Sequence, residues 1–443
     1  MQTTDVAGKS ARVSVQDMTQ YFRGLEDPRD SVNRLHSLDN VLVIAVLAVM
    51  AGAGGPTAIA EWARLKFEFL SKVLDLPHGV PRKDVFRRVL SLLQPTAFQA
   101  AFANWIQTLY AAAGQVLETD ERLLAVDGKA LRRSHDHKKG LGALHSVSVW
   151  ASEFGLTLAA VATDQKSNEI TAIPEVLAQV NLRGVIVTID AMGTQTAIAQ
   201  QIVAGKGDYV LAVKGNQGKL YEAVKNQIHA NMANDYANVS AREHVTEETG
   251  HGRRETRMYV QMPAPKSLPG FNRWAGLMTI GIAMLTCVRN GKETTEMRYF
   301  ISSLPMGVKR FARAIRSHWS IENSCHWILD MTYREDESRI RQTHERENFA
   351  WLNRFTLSLF KQHKNQKSVA MNRRRCGWDE NVLLEILAGT TAECALALSH
   401  ATHSKRHRTL FAARRAFCQS FLPNPGCSLC FASAGTGKCA GLG

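Results

Sequence analysis

Nowhere does the sequence stay apolar for the roughly 20 residues that a membrane-spanning helix needs. The longest such stretch, VLVIAVLAVMA at residues 41–51, reads instead as a buried core helix. The first 20 residues are polar, so no apolar signal segment is seen there, and the reducing cytoplasm is the expected compartment. Cysteine is scarce before position 394, with Cys394, Cys418, Cys427, Cys430 and Cys439 making up five of the eight. A disulfide framework for the whole fold is thereby excluded. Cys427 and Cys430 form a lone CxxC, which without a second pair is weak evidence for zinc. Acidic residues are also short: 40 Asp and Glu face 54 Lys and Arg, for a formal charge of +14. Such an excess points to a polyanionic partner, nucleic acid before an acidic membrane surface, because bound phosphates release counterions.

What is present divides by pattern. With 45% hydrophobic and 21% charged residues, the 443-residue chain has the make-up of a folded protein of two or three domains. Residues 1–118 read as an N-terminal helical domain: NVLVIAVLAVM, PTAIAEWARLKFEFLSKVL, PRKDVFRRVLSLL and PTAFQAAFANWIQTLYAAA each open on Asn or Pro. The basic run Arg82, Lys83, Arg87 and Arg88 fits either a DNA backbone or a solvated face. Over 119–389 the pattern becomes α/β. RLLAVDGKAL reads as a strand, HSVSVWASEFGLTLAAVATD as two strands around a turn, and GVIVTIDAMG and DYVLAVKG as apolar strands separated by helices. A mixed sheet flanked by helices is expected. A β-rich insertion at about 235–305 carries an Asn290-Gly291 hairpin signal. Residues 390–443 form a basic, Cys-containing tail.

Three carboxylates draw attention. Asp127 and Asp190 each follow an apolar strand and are each followed closely by a glycine, Gly128 and Gly193. In open α/β sheets the functional crevice lies at the carboxyl ends of the strands, and a glycine there admits a substrate backbone. For Asp190 the competing reading is a cap on the next helix. Glu322 lies in SHWSIENSCHWIL, where helical spacing puts His318, Glu322 and His326 on one stripe. Three carboxylates held together repel unless a cation sits among them. Mg²⁺ or Mn²⁺ suits such oxygen donors, and two ions about 4 Å apart can drive an in-line phosphoryl displacement. A zinc site on the His-x₃-Glu-x₃-His stripe would leave both Asp residues unexplained, and His326 also reads as a packing partner.

The motifs LLAVDGKALRRS, HSVSVWASEFGLTLAAVATDQKSNEITAIPEVL, GVIVTIDAMGTQ, DYVLAVKGNQ, HGRRETR and HWSIENSCHWILDMTYREDESRIR, in that order, resemble the DDE transposases of bacterial insertion sequences, in the H-repeat-associated group. The amino-terminal LEDPRDSVNRLHSLDNVLVIAVLAVMAGAGG and HGVPRKDVFRRV resemble that group's associated helical domain. The resemblance spans residues 20–390 and implies a ribonuclease-H-like core interrupted by the β-rich insertion. It also implies a catalytic, metal-binding triad of Asp127, Asp190 and Glu322 acting on terminal inverted repeats and target DNA, as a homodimer on DNA. Relatives carry a Tyr-Arg-Glu-Lys signature around the Glu. Here Ile315, His318 and Leu329 replace its Tyr, Arg and Lys, which leaves His318, Arg339 and Arg341 as substitutes for phosphate contact. Lys129, Lys214, His251, Arg253 and Arg254 are further DNA-binding candidates. Trp319 fits base stacking or core, and Glu169 a fourth acidic group or a helix-start charge. A silent DNA-binding relic and a structure-selective nuclease remain alternatives to strand cleavage and transfer.

Overall fold

A computed structural model describes residues 15, 18–20, 22–32, 34–102, 122–136, 140–163, 169–250, 252–363, 365 and 367–388. The stretch around position 118, His251 and the tail at 390–443 lie outside the described residues, and the helix expected over 95–113 is described only to Phe102.

Among the described residues, four helices with defined bounds precede the sheet. In α1 (Leu38–Met50) every residue but Asp39 and Asn40 is buried, as an apolar surface on all sides requires. Ser37 rather than Asn40 caps it, accepting from the Asn40 backbone N–H. The run expected as one helix from Pro56 is two, α2 (Pro56–Leu65) and α3 (Phe67–Val73), because Lys66 leaves helical geometry at φ −106°, ψ 24°. In α4 (Lys83–Leu92) Phe86, Val89 and Leu90 face inward, while Arg87 and Arg88 stay exposed and Arg87 pairs with Asp84 at 3.3 Å.

The α/β core follows. Its strands are β1 (Arg122–Leu131), β2 (Leu144–Ala151), β3 (Leu156–Thr163), β4 (Val185–Ile189) and β5 (Asp208–Val213), interleaved with α5 (Glu169–Ala178), α6 (Thr196–Ala204) and α7 (Gly218–Ala233). Four strands then form a meander: β6 (Arg242–Gly250), β7 (Arg253–Pro263), β8 (Thr279–Arg289) and β9 (Lys292–Ser302). Asn290 and Gly291 join β8 to β9 with φ of 50° and 73°, the paired positive angles of the tight hairpin turn their sequence announces. Last come α8 (Val308–Ile321), the π-helical turn Glu322–His326, α9 (Trp327–Met331), α10 (Thr343–Gln362), α11 (Val369–Trp378) and α12 (Glu380–Ala388).

Among the described residues nine strands form one sheet, ordered β3-β2-β1-β4-β5-β9-β8-β7-β6. β1, β4 and β5 run parallel, and β2 and β3 antiparallel to their neighbours. This is the ribonuclease-H-like arrangement. Every residue of β2 and of β4 is buried, as strands covered on both faces must be. The insertion does not form a separate sheet. Its last strand, β9, pairs antiparallel with β5 and so covers an edge that would otherwise be open.

The N-terminal helices share a contiguous apolar core with the sheet and with α10. Side chains from the C-terminal helices also satisfy their exposed carbonyls. Asn348 donates to the carbonyls of Leu90 and Leu93, each at 2.9 Å, and Arg373 donates to that of Val49 at 2.9 Å, at helix ends where carbonyls run out of intrahelical donors. Among the described residues no helix is long and apolar enough to cross a membrane.

Gly281 in β8 fixes how α8 approaches the sheet. A Cβ there would lie 2.6 Å from the Phe311 ring and 2.5 Å from the Val260 carbonyl. Gly281→Ala is therefore expected to destabilise the protein by about 1–3 kcal/mol in urea unfolding; an unchanged midpoint would show that α8 does not depend on this contact.

Candidate active site

Strand register brings Asp127 and Asp190 to one rim. The parallel ladder between β1 and β4 ends with Val126 opposite Ile189, and each Asp is the next residue. β1 itself does not stop there but stays paired with β2 to Leu131, so what ends at Asp127 is the ladder and the apolar run. The glycines serve the interior and not a substrate. A Cβ on Gly128 would lie 2.7 Å from the Glu169 carboxyl carbon and 2.9 Å from His145 Nε2, and one on Gly193 would lie 2.6 Å from Ile173 Cδ1. Glu169 opens α5, yet it is buried and paired with His145.

Glu322 arrives on the helix. Trp150 Nε1 donates to Ser320 Oγ at 3.1 Å and Ser152 Oγ to the Ser317 carbonyl at 3.0 Å, tying the end of α8 to β2 and the turn after it. The chain then winds as a π-helix over Glu322–His326, a local widening that recurs at functional sites. The expected stripe of His318, Glu322 and His326 is divided. His318 turns to β4, its Nδ1 3.0 Å from Thr188 Oγ1. His326 is buried between two carboxylates, its Nδ1 3.2 Å from Glu322 Oε2 and 3.4 Å from Asp127 Oδ2.

The charges follow from this geometry. Burial pushes the Asp127 carboxyl up, but the hydrogen bond and charge of His326, with His318 nearby, outweigh it and hold the group below its ordinary value. Glu322 is also lowered, chiefly by its hydrogen bond to His326. For His326, burial opposes the cation, yet Asp127 and Glu322 together raise its pKa. Burial lowers His318 despite the neighbouring Asp127 and Asp190. Burial thus disfavours the cationic form of the His318 ring.

Among the described residues, one group of three could hold a metal ion: Asp127, Glu322 and His326, whose ligand atoms lie within 4.8 Å of one another. Two hard carboxylate oxygens kept anionic fit Mg²⁺ or Mn²⁺, and an imidazole nitrogen suits the latter. Asp190 stands outside the group. Its Oδ1 accepts from the backbone N–H of Met192 at 3.0 Å and of Gly193 at 3.3 Å, which closes the turn after β4 and does not cap α6, whose N-cap residue is Gln195. Asp190 instead lines a cavity of about 270 Å³ with Lys214, Arg298, His318 and Trp319. Trp319 packs beneath Arg298, whose guanidinium lies 4.0 Å from the ring centre.

Other expected DNA contacts fare differently. Lys129 is buried and held by Asp330, with Asp336 at 3.5 Å and Glu335 at 3.8 Å. With its ammonium surrounded by carboxylates it cannot also face a phosphate, which corrects that expectation. Arg253 pairs with Glu255 at 2.6 Å and Arg254 with Glu247 at 3.3 Å, both near the outer hairpin tip. Lys214, Arg339 and Arg341 are exposed. Ile315 and Leu329, which stand where relatives carry Tyr and Lys, are core residues 5% and 0% exposed. The residue that sequence reasoning undervalued is His326, and its one signal was a position four after Glu322.

Strand order and the placement of the acidic residues put the chain in the ribonuclease-H-like class. The family described as "Transposase DDE domain" matches residues 118–359, and "DDE_Tnp_1-associated" matches 19–106. The chain is 37% identical over 381 residues to the transposase-named protein YncI of Escherichia coli O157:H7, covering 85% of this chain and 95% of that one. It is 32% identical to the H repeat-associated protein YhhI of Escherichia coli K12, covering 85% and 99%. A protein from the dhlA 3′ region of Xanthobacter autotrophicus is 41% identical over 64% of this chain and 93% of that one. Among solved structures, the cryo-EM structure of a piggyBac transposase synaptic complex with hairpin DNA aligns at TM-score 0.36 and 12% identity over 95% and 86% of the two chains, a weak likeness. The chain belongs to the DDE transposase family, in its H repeat-associated group, and is an insertion-sequence transposase.

Because Asp127 and Glu322 raise His326 above 6.5, its imidazolium should persist above that pH in metal-free protein, and removing one anion should lower it. An NMR titration of wild type and Asp127→Asn is expected to show His326 titrating above 6.5 and then shifting down in the variant. Equal titration in both would contradict the bridge.

Proposed function

We propose that Asp127, Asp190 and Glu322 hold Mg²⁺ or Mn²⁺ and carry out DNA strand cleavage and strand transfer at the ends of an insertion sequence. One observation carries the reading. In a chain of the DDE transposase family, a strand and a helix remote in sequence bring Asp127 and Glu322 close enough to share one ligand. A divalent ion held there would activate a water or a 3′-hydroxyl and stabilise the leaving oxygen. Asp127 and Glu322 are kept anionic as ligands, and His326 holds the two together until they bind. Asp190 joins from the adjacent strand by giving up its turn contacts with Met192 and Gly193. Nothing favours the silent relic.

DNA would enter along the positive surface. Lys214 beside Asp190, Arg298 over Trp319, the Arg253–Arg254 hairpin and the exposed Arg339 and Arg341 are the phosphate ligands we assign. Two element ends must be held together for transfer, so the working form is a homodimer on DNA in the nucleoid.

The test is nicking of terminal inverted-repeat DNA with Mn²⁺. Asp127→Ala, Asp190→Ala and Glu322→Ala are each expected to lower the rate by roughly 10³-fold or more. Wild-type nicking by Asp127→Ala and Glu322→Ala would defeat the assignment, and salt-dependent DNA binding without cleavage under any divalent metal would favour the relic. For the interface, Lys214→Ala and Arg341→Ala should each reduce the slope of log K against log salt by about 1. An unchanged slope in both removes these residues from the DNA surface.

A further inference from the structure

Lys129 was expected to touch DNA, and its burial asks for a different role. It lies two residues after Asp127 on β1, its side chain 5% exposed. Taking an ammonium out of water is costly unless opposite charge surrounds it, and three carboxylates from one later segment do so. Asp330 lies on α9, four residues after His326, and Glu335 and Asp336 form the turn that follows. The network continues inward. Glu335, fully buried, accepts from Arg354 Nη1 and from Asn353 Nδ2, each at 3.3 Å. Arg354 on α10 donates to Ser148 Oγ at 3.4 Å, and Ser148 is the residue opposite Asp127 across the β1–β2 ladder. The chain of contacts therefore closes a ring from the strand carrying Asp127, through Lys129, to the helix carrying Glu322 and His326, and back through Arg354 to Asp127's strand partner.

We infer that Lys129 is a positioning residue that sets the spacing between Asp127 and Glu322, and so the affinity of the site for its divalent ion. This rests on the metal-site reading above. The ring explains why a lysine so near the site is denied to solvent, and why Asp330, Glu335 and Asp336 crowd together where their mutual repulsion would otherwise push them apart. Lys129 itself touches neither DNA nor ion. It acts through the backbone of β1 and through α9, as supporting partners around metal ligands do.

The test is Mn²⁺ binding to the purified full chain, read as loss of the free-ion signal in electron paramagnetic resonance, with circular dichroism as the check on folding. Lys129→Met/Asp330→Leu removes both members of one ion pair together and leaves Glu335 to Arg354 and Asp336 to Arg132. It should fold and bind Mn²⁺ about 10- to 100-fold more weakly. Asp330→Asn, a milder change at a partly exposed position, should weaken binding by about 3- to 10-fold and decides the matter if the double variant does not fold. Wild-type Mn²⁺ affinity in the folded variants would overturn the inference. An Asp127→Asn control separates the two claims. If the control still binds Mn²⁺ as wild type does, the metal site itself is wrong. If the control loses binding while the Lys129 and Asp330 variants keep it, only the positioning role fails.

Discussion

Two carboxylates confined to a small volume repel each other, and they stay together only with positive charge between them. In this protein the His326 imidazole meets that condition, with Nδ1 within 3.4 Å of both Asp127 and Glu322. Much of the surrounding structure can be read as meeting this requirement. The π-helical turn presents Glu322 outward while burying His326, whose side chains are 58% and 4% exposed. Such a split within one helical turn leaves one group accessible to a ligand and the other fixed beneath it. The raised pKa of His326 and the lowered pKa values of Asp127 and Glu322 are consequences of one shared contact.

That contact depends in turn on where α8 lies. The helix spans the junction between the five-stranded core and the four-stranded extension, with Phe311 seated where Gly281 has no side chain. At the other end Ser317 and Ser320 are tied to Ser152 and Trp150. The insertion thus does more than fill a gap in the sequence. By pairing β9 with β5 it makes one continuous platform, and the cavity that holds Asp190, Arg298 and Trp319 forms where that platform meets α8.

The parts of this arrangement that were legible in sequence are those set by local pattern. Apolar runs announced β1, β4 and β5, Asn290-Gly291 announced the last hairpin, and the motif order announced the family. The cap weighed for Asp190 is not formed: its side chain closes the turn at Met192 and Gly193, and Gln195 stands at the N-cap of the next helix. What could not be read depends on partners far along the chain. Nothing near Lys129 reveals that Asp330, Glu335 and Asp336 will surround it, so a lysine beside an active-site aspartate was read as a phosphate ligand. The π-helical turn was equally hidden, because helical periodicity assumes an unbroken α-helix. Gly128 and Gly193 looked like clearance for a substrate, whereas the clearance is for Glu169, His145, Ile173 and Ile189.

The central claim is that Asp127 and Glu322 meet in order to share a divalent ion. Its most direct measurement is a crystal structure with Mn²⁺ located by anomalous scattering. A Mn²⁺ peak bonded to both carboxylates at about 2.1 Å is expected, with Asp190 swung away from Met192 and Gly193 to join them. Mn²⁺ found only elsewhere, with His326 still bridging the two carboxylates, would contradict it.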